Sequence, residues 1–258
     1  MGAPVFTRSF SLLSIGALGA LGVLVMLGTW QVQRLAWKES LIARVEAKMA
    51  APAVPLADIL KNADTPRASD GDPEYRRTTI SGRFDHDGEV FFYTTWSGAT
   101  GWHVYTPFVT VGDDGEKTLL VNRGFVPADR KDAAARPETR TSGEVTLTGL
   151  VRWPDAEKPN SFMPDNDVGA NIFFWRELPL MASRAGLEPD NVLPFFVYAD
   201  ETGDGQLPIG SVTIVDFPNN HLAYAVTWYG LALTLIGVYG ALLWGRLRSG
   251  RKSTSGVT

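Results

Sequence analysis

Two uncharged apolar runs, Ser9 to Gln33 and Leu222 to Gly245, stand near opposite ends of the 258-residue sequence and enclose nearly all of its charge. Each exceeds the roughly 20 residues that a helix needs to cross a bilayer's hydrocarbon core at about 1.5 Å rise per residue. Both are therefore expected to be transmembrane helices, at 9–33 and 222–245. A cleaved signal peptide has a shorter apolar core that ends at a small-residue cleavage site. The first run instead leads into Thr29-Trp30-Gln31-Val32-Gln33-Arg34, which favours a retained anchor.

Basic residues near span ends set orientation. Arg246, Arg248, Arg251 and Lys252 follow the second span, and no basic residue lies near its start. The first span alone points weakly the other way, with Arg8 before it and Arg34, Lys38 and Arg44 after it. Two spans put both termini on one side, and the combined count favours a cytoplasmic basic tail at 246–258. Residues 34–220 are then extracytoplasmic.

All 28 acidic residues and 19 of the 24 basic ones fall between the spans, a formal charge of −9. Such a surface repels nucleic acid. The segment is long enough for one ordinary domain with its own core. The absence of cysteine from the sequence removes disulfides, thiolate catalysis, Cys-rich zinc sites and Cys-based copper transfer.

Beyond the first span, Leu35, Leu41, Ile42, Val45 and Met49 share one helical face, with no breaker before Pro52. An amphipathic helix is expected over 34–49. After a loop from Asn62 to Pro73, strand signals dominate: Thr78 to Phe84, Glu89 to Trp96, Trp102 to Val111, Thr118 to Asn122 and Val145 to Val151. Asp87-Gly88 and Asp114-Gly115 read as turns, and Ala128 to Gly143 as a polar connection. Ile172 to Trp175 reads as a short strand, Leu178 to Arg184 as a helix ended by Gly186, and Phe195 to Ala199 and Val212 to Val215 as the last strands. The expected fold is an α+β membrane protein: two transmembrane helices flanking a β-rich, largely antiparallel sheet or open barrel. Gly16, Gly19, Gly22, Gly237 and Gly240 would let the two spans approach closely.

Catalytic motifs are missing from the sequence. There is no Gly-x-Ser-x-Gly elbow, no Walker loop and no His-Glu-x-x-His helix, and the chain is not expected to be an enzyme. Of the three histidines, His86 sits in a turn, and His103, next to Trp102 in a strand, could face solvent or a pocket. His221 stands at the mouth of the second span behind Asn219 and Asn220, either of which could cap the helix. The positive end of a helix dipole favours the uncharged imidazole, the form that ligates a metal. Tyr224 and Trp228 follow at i+3 and i+7, so one face offers a nitrogen ligand and aromatic rings at the lipid boundary. Such a face suits a planar, lipophilic, iron-containing ring such as haem. An interfacial histidine in an aromatic belt is the plainer account of the same residues.

With these residues in view, the chain resembles the surfeit locus protein 1 family of cytochrome c oxidase assembly factors. The resemblance is carried by Gly28 to Arg34 with Trp37-Lys38 and Leu41-Ile42, by Gly82-Arg83-Phe84-Asp85, and by Gly101 to Pro107. It continues through Val121-Asn122-Arg123-Gly124-Phe125-Val126-Pro127 and the block from Asn219 to Ala232. It implies a chaperone of respiratory complex IV in a bacterial inner membrane, with both termini cytoplasmic and the central domain periplasmic. It further implies that haem a is held for insertion into the catalytic subunit, with the haem a synthesis machinery as a possible second partner. The family's haem-linked histidine falls on His221 as ligand to the haem iron, and its aromatic pair on Trp228 and Tyr229, which join Tyr224 as cofactor-binding residues.

Three other functions are weaker on the same sequence. A receptor would need an output module, yet only about a dozen residues follow Gly245. A tethered enzyme would need a catalytic constellation, and a copper chaperone would need closely spaced soft ligands. A membrane-tethered scaffold or sensor that binds a partner protein without a cofactor is the alternative to haem carriage.

Overall fold

Helix α1 runs unbroken over Arg8–Ala50, because no proline interrupts the apolar span or the amphipathic stretch behind it until Pro52. The computed structural model describes residues 7–69, 71–112, 115–200, 206–210 and 218–254. The last helix, here α4, covers His221–Thr254. Helices Arg8–Ala50 and His221–Arg248 are long and apolar enough to cross a membrane. The chain divides into two units, Met1–Arg44 with Asp216–Thr258 and Val45–Val215.

The first unit is an antiparallel pair of α1 and α4. The Tyr239 hydroxyl donates to Ser14 Oγ at 2.6 Å, the Tyr239 ring stacks on Phe10, and the Arg246 guanidinium lies 4.3 Å from the Phe10 ring centre. Further along, Tyr229 O–H and Thr29 Oγ1 are 3.1 Å apart, and Gln31 meets His221. Ala225 and Ala232 are buried at 3% and 4% exposure, as small residues in a helix seam should be. The close approach falls elsewhere than the sequence suggests. A Cβ on Gly16, Gly19, Gly22, Gly237 or Gly240 would meet nothing within 4 Å, whereas one on Gly28 would lie 2.8 Å from the Tyr229 ring.

The second unit holds seven strands. They are β1 (Val54–Pro55), β2 (Arg77–Phe84), β3 (Val90–Trp96), β4 (Ala99–Gly112), β5 (Gly115–Pro127), β6 (Val145–Arg152) and β7 (Val192–Ala199). Helix α2 (Leu56–Leu60) follows β1, and α3 (Leu178–Arg184) precedes β7. The sheet order is β1-β2-β6-β7-β5-β4-β3, with a further β2–β4 pairing. That pairing closes β2, β6, β7, β5 and β4 into a ring, so five strands form a barrel rather than an open sheet. Pairing is antiparallel apart from β1–β2 and β5–β7.

Side-chain alternation separates two cores. Ile80, Phe108, Leu119, Val121, Val151, Phe195 and Val197, drawn from all five ring strands, pack together. The alternate residues Tyr105, Leu120, Leu150, Phe196 and Tyr198 pack with Leu178, Met181, Ala182 and Ala185, on and just after α3. One cluster thus fills the barrel, and the other seals its wall under a helix.

Several elements differ from the sequence expectation. Strand β5 continues past Asn122 to Pro127, with a register shift against His103/Tyr105 that inserts an extra residue near Gly124 (φ +116°). A bulge of this kind bends a strand without ending it. Ile172 to Trp175 forms isolated bridges, Phe92 with Phe173 and Asp167 with Ile172, instead of a strand. Short β1 and α2 carry too few residues to show a period. The expected strand Val212 to Val215 and the turn residue Asp114 lie outside the described residues.

Candidate functional site

His221 opens α4, and its Nδ1 lies 2.7 Å from the Gln31 amide oxygen on α1. A carbonyl oxygen only accepts, so Nδ1 carries the proton and donates. In the neutral ring the lone pair is then on Nε2. Gln31 is 8% exposed, so its amide sits inside the helix seam, whereas His221 is half-buried. One ring nitrogen hydrogen-bonded so that the other is free is the arrangement found in metal-binding histidines.

The four residues singled out from the sequence do not share one environment. Tyr224 is exposed at 56%, and Trp228 is half-buried three and seven residues along the His221 side of α4. Tyr229 turns toward α1, its ring against Gly28 and its hydroxyl beside Thr29. Tyr224 and Trp228 thus accompany His221, while Tyr229 pairs the helices. Asn219 Oδ1, two residues before the histidine, is buried and finds no hydrogen-bond donor among the described residues. Arg34 follows Gln31 by three residues on α1, with its guanidinium 4.2 Å from the Trp37 ring centre.

Among the described residues, no three His, Cys, Asp or Glu side chains gather as a metal site. A metal held at His221 must bring most of its own ligands. Haem does so, since its porphyrin supplies four nitrogens, and His221 would be the residue to hold it. One oriented imidazole with aromatic residues at i+3 and i+7 on the same helix fits that group.

A model of the SURF1 family matches residues 18–233, which include Gln31, His221, Tyr224, Trp228 and Tyr229. The chain belongs to the SURF1 family. It is similar to surfeit locus protein 1 of Rattus norvegicus, 36% identical over 223 residues that cover 80% of this chain and 67% of the relative. The Homo sapiens protein is 36% identical over 223 residues, 80% and 69% of the two chains. A SURF1-like protein of Monosiga brevicollis is 33% identical over 240 residues, 88% and 85% of the two.

The other two histidines of this SURF1-family chain are taken up by the β domain. His86 Nε2–H donates to the Thr141 carbonyl at 3.0 Å, and Nδ1 accepts from Arg123 at 3.2 Å. Burial, with Arg123 nearby, lowers its pKa despite the Thr141 bond. His103 stacks on Phe92, and Asn122 Nδ2 approaches its Nδ1 at 3.4 Å; burial lowers its pKa to about 4.

Sequence reasoning missed Gln31 as a partner and missed a buried charge cluster entirely. Gln31 had one available signal, an amide at the end of an apolar run, where polar groups are costly unless partnered. The cluster is Glu89 between Arg136 and Arg123, with side-chain exposures of 5%, 0% and 10%. Arg136 also bonds the Arg130 carbonyl at 3.0 Å and Thr139 Oγ1 at 3.1 Å. It thereby fastens the polar connection after β5 to the residue just before β3.

Proposed function

We propose that this SURF1-family chain is a membrane-anchored assembly factor for cytochrome c oxidase, and that it carries haem a on His221 for delivery to the catalytic subunit. Family membership supports the oxidase-assembly part. The observation that carries the haem part is the Gln31 contact, which commits His221 Nδ1 as a donor and leaves Nε2 for an iron. Haem a would supply the iron and the porphyrin plane. Tyr224 and Trp228 would contact its apolar faces and edges, and Arg34, one turn along α1 from Gln31, would offer positive charge to its carboxylates. A single histidine ligand would suit a carrier, because cargo held by one side chain can be released to a better-ligated site.

The orientation is part of the same proposal: both termini cytoplasmic and the β domain periplasmic in a bacterial inner membrane. Phosphatase fusions inactive at Thr258 and active at Gly112 are the expected result.

The function is tested by the optical spectrum of detergent-purified protein from cells that make haem a. Parent and His86→Ala should co-purify with haem a, and His221→Ala should keep normal membrane abundance with much less haem. Equal haem in His221→Ala and parent would refute the site. A deletion strain with unchanged oxidase activity and oxidase haem content would refute the assembly role.

A further inference from the structure

Gln31 has three properties that a passive helix-packing residue does not need. It is buried, its side chain is polar at the edge of an apolar span, and its oxygen meets one specific ring nitrogen 190 residues away. Hydrogen bonds strengthen where the surroundings are poorly polarisable, as in a seam next to a lipid span. The contact therefore fixes two things at once: which imidazole nitrogen bears the proton, and the rotation of the ring about its stem. Without an acceptor at that place the ring could exchange tautomers, and half of its forms would present N–H where a ligand is needed.

We infer that Gln31 is a positioning residue for the haem ligand: its amide oxygen holds His221 as the Nδ1–H tautomer, directs Nε2 to the iron and raises that nitrogen's donor strength. This rests on the haem-carrying reading and adds a residue from the other helix to it. The site is then shared between the two spans, and a chain whose α1 and α4 separate loses the oriented ligand even with His221 intact. The amide is a moderate acceptor. It leaves the imidazole less electron-rich than a carboxylate would, and so favours a ligand that binds iron yet lets it go.

The test compares parent, Gln31→Leu, Gln31→Glu and His221→Ala as full-length protein in detergent, titrated with haem a and followed by optical spectrum and redox titration. Gln31→Leu keeps the volume but removes the acceptor, and should bind haem a about 10- to 100-fold more weakly, the usual cost of losing a metal ligand's hydrogen-bond partner. Gln31→Glu restores an acceptor and should regain binding, with a midpoint potential below the parent's because its carboxylate pushes electron density toward the iron. A packing role alone is met by the leucine side chain and predicts parent affinity in Gln31→Leu. Parent affinity in Gln31→Leu would overturn the inference while leaving the haem reading intact. Parent-like binding by His221→Ala would overturn both.

Discussion

The Glu89 carboxylate lies against the Arg136 guanidinium, with side-chain exposures of 5% and 0%. Both charges are out of solvent, so each depends on the other. Arg123 joins them, and its own pKa is brought down to about 10 by burial and by Arg136, against the pull of Glu89.

Replacing Glu89 with Gln is expected to destabilise the β domain by about 3 to 5 kcal/mol, because two buried guanidiniums would lose their counter-charge. The midpoint of domain melting, followed by circular dichroism of the full chain in detergent, measures it. Parent stability for Glu89→Gln would mean that the cluster is hydrated.

His103 gives a pH dependence with a definite sign. Its pKa falls from the ordinary 6.5 to about 4 in the fold through burial. Between those values the unfolded chain binds a proton that the folded chain does not, so stability is full above pH 6.5 and declines toward pH 4. The loss from this residue is on the order of 3 kcal/mol. His86, also lowered by burial, adds to the same slope. His103→Gln should flatten the slope between pH 6.5 and 4 without abolishing it, and chemical denaturation at several pH values reads the difference.

Gly124 should not tolerate alanine. Its φ is +116°, and a Cβ would lie 2.0 Å from the Ile209 carbonyl oxygen. Backbone cannot move aside as a side chain can, so Gly124→Ala should cost at least about 2 kcal/mol. Gly98→Ala, also at positive φ but facing open space, should cost less. Equal melting temperatures for the two variants would contradict this.

The helix pair has its own weak point. Gly28→Leu should displace the Tyr229 ring and break the Tyr229–Thr29 bond, lowering near-ultraviolet circular dichroism from the ordered aromatics. Gly22→Leu, with nothing within 4 Å, should match the parent.

The sequence by itself determined the elements whose signal is local. Two apolar spans, alternating strands β2, β3 and β4, the helix at Leu178–Arg184 and the position of His221 at a helix start all follow from spacing within a few residues. Only the tertiary structure decided which distant groups meet. The β2–β4 pairing that closes the barrel, the Glu89–Arg136 pair and the Gln31–His221 bond each join residues that no local period connects. Tyr224 and Tyr229 are both aromatic residues on α4, yet one is exposed beside the histidine and the other packs on Gly28. The reason is physical: periodicity reports which side of an element is apolar, whereas the partner of a buried polar group is fixed by how two elements pack against each other.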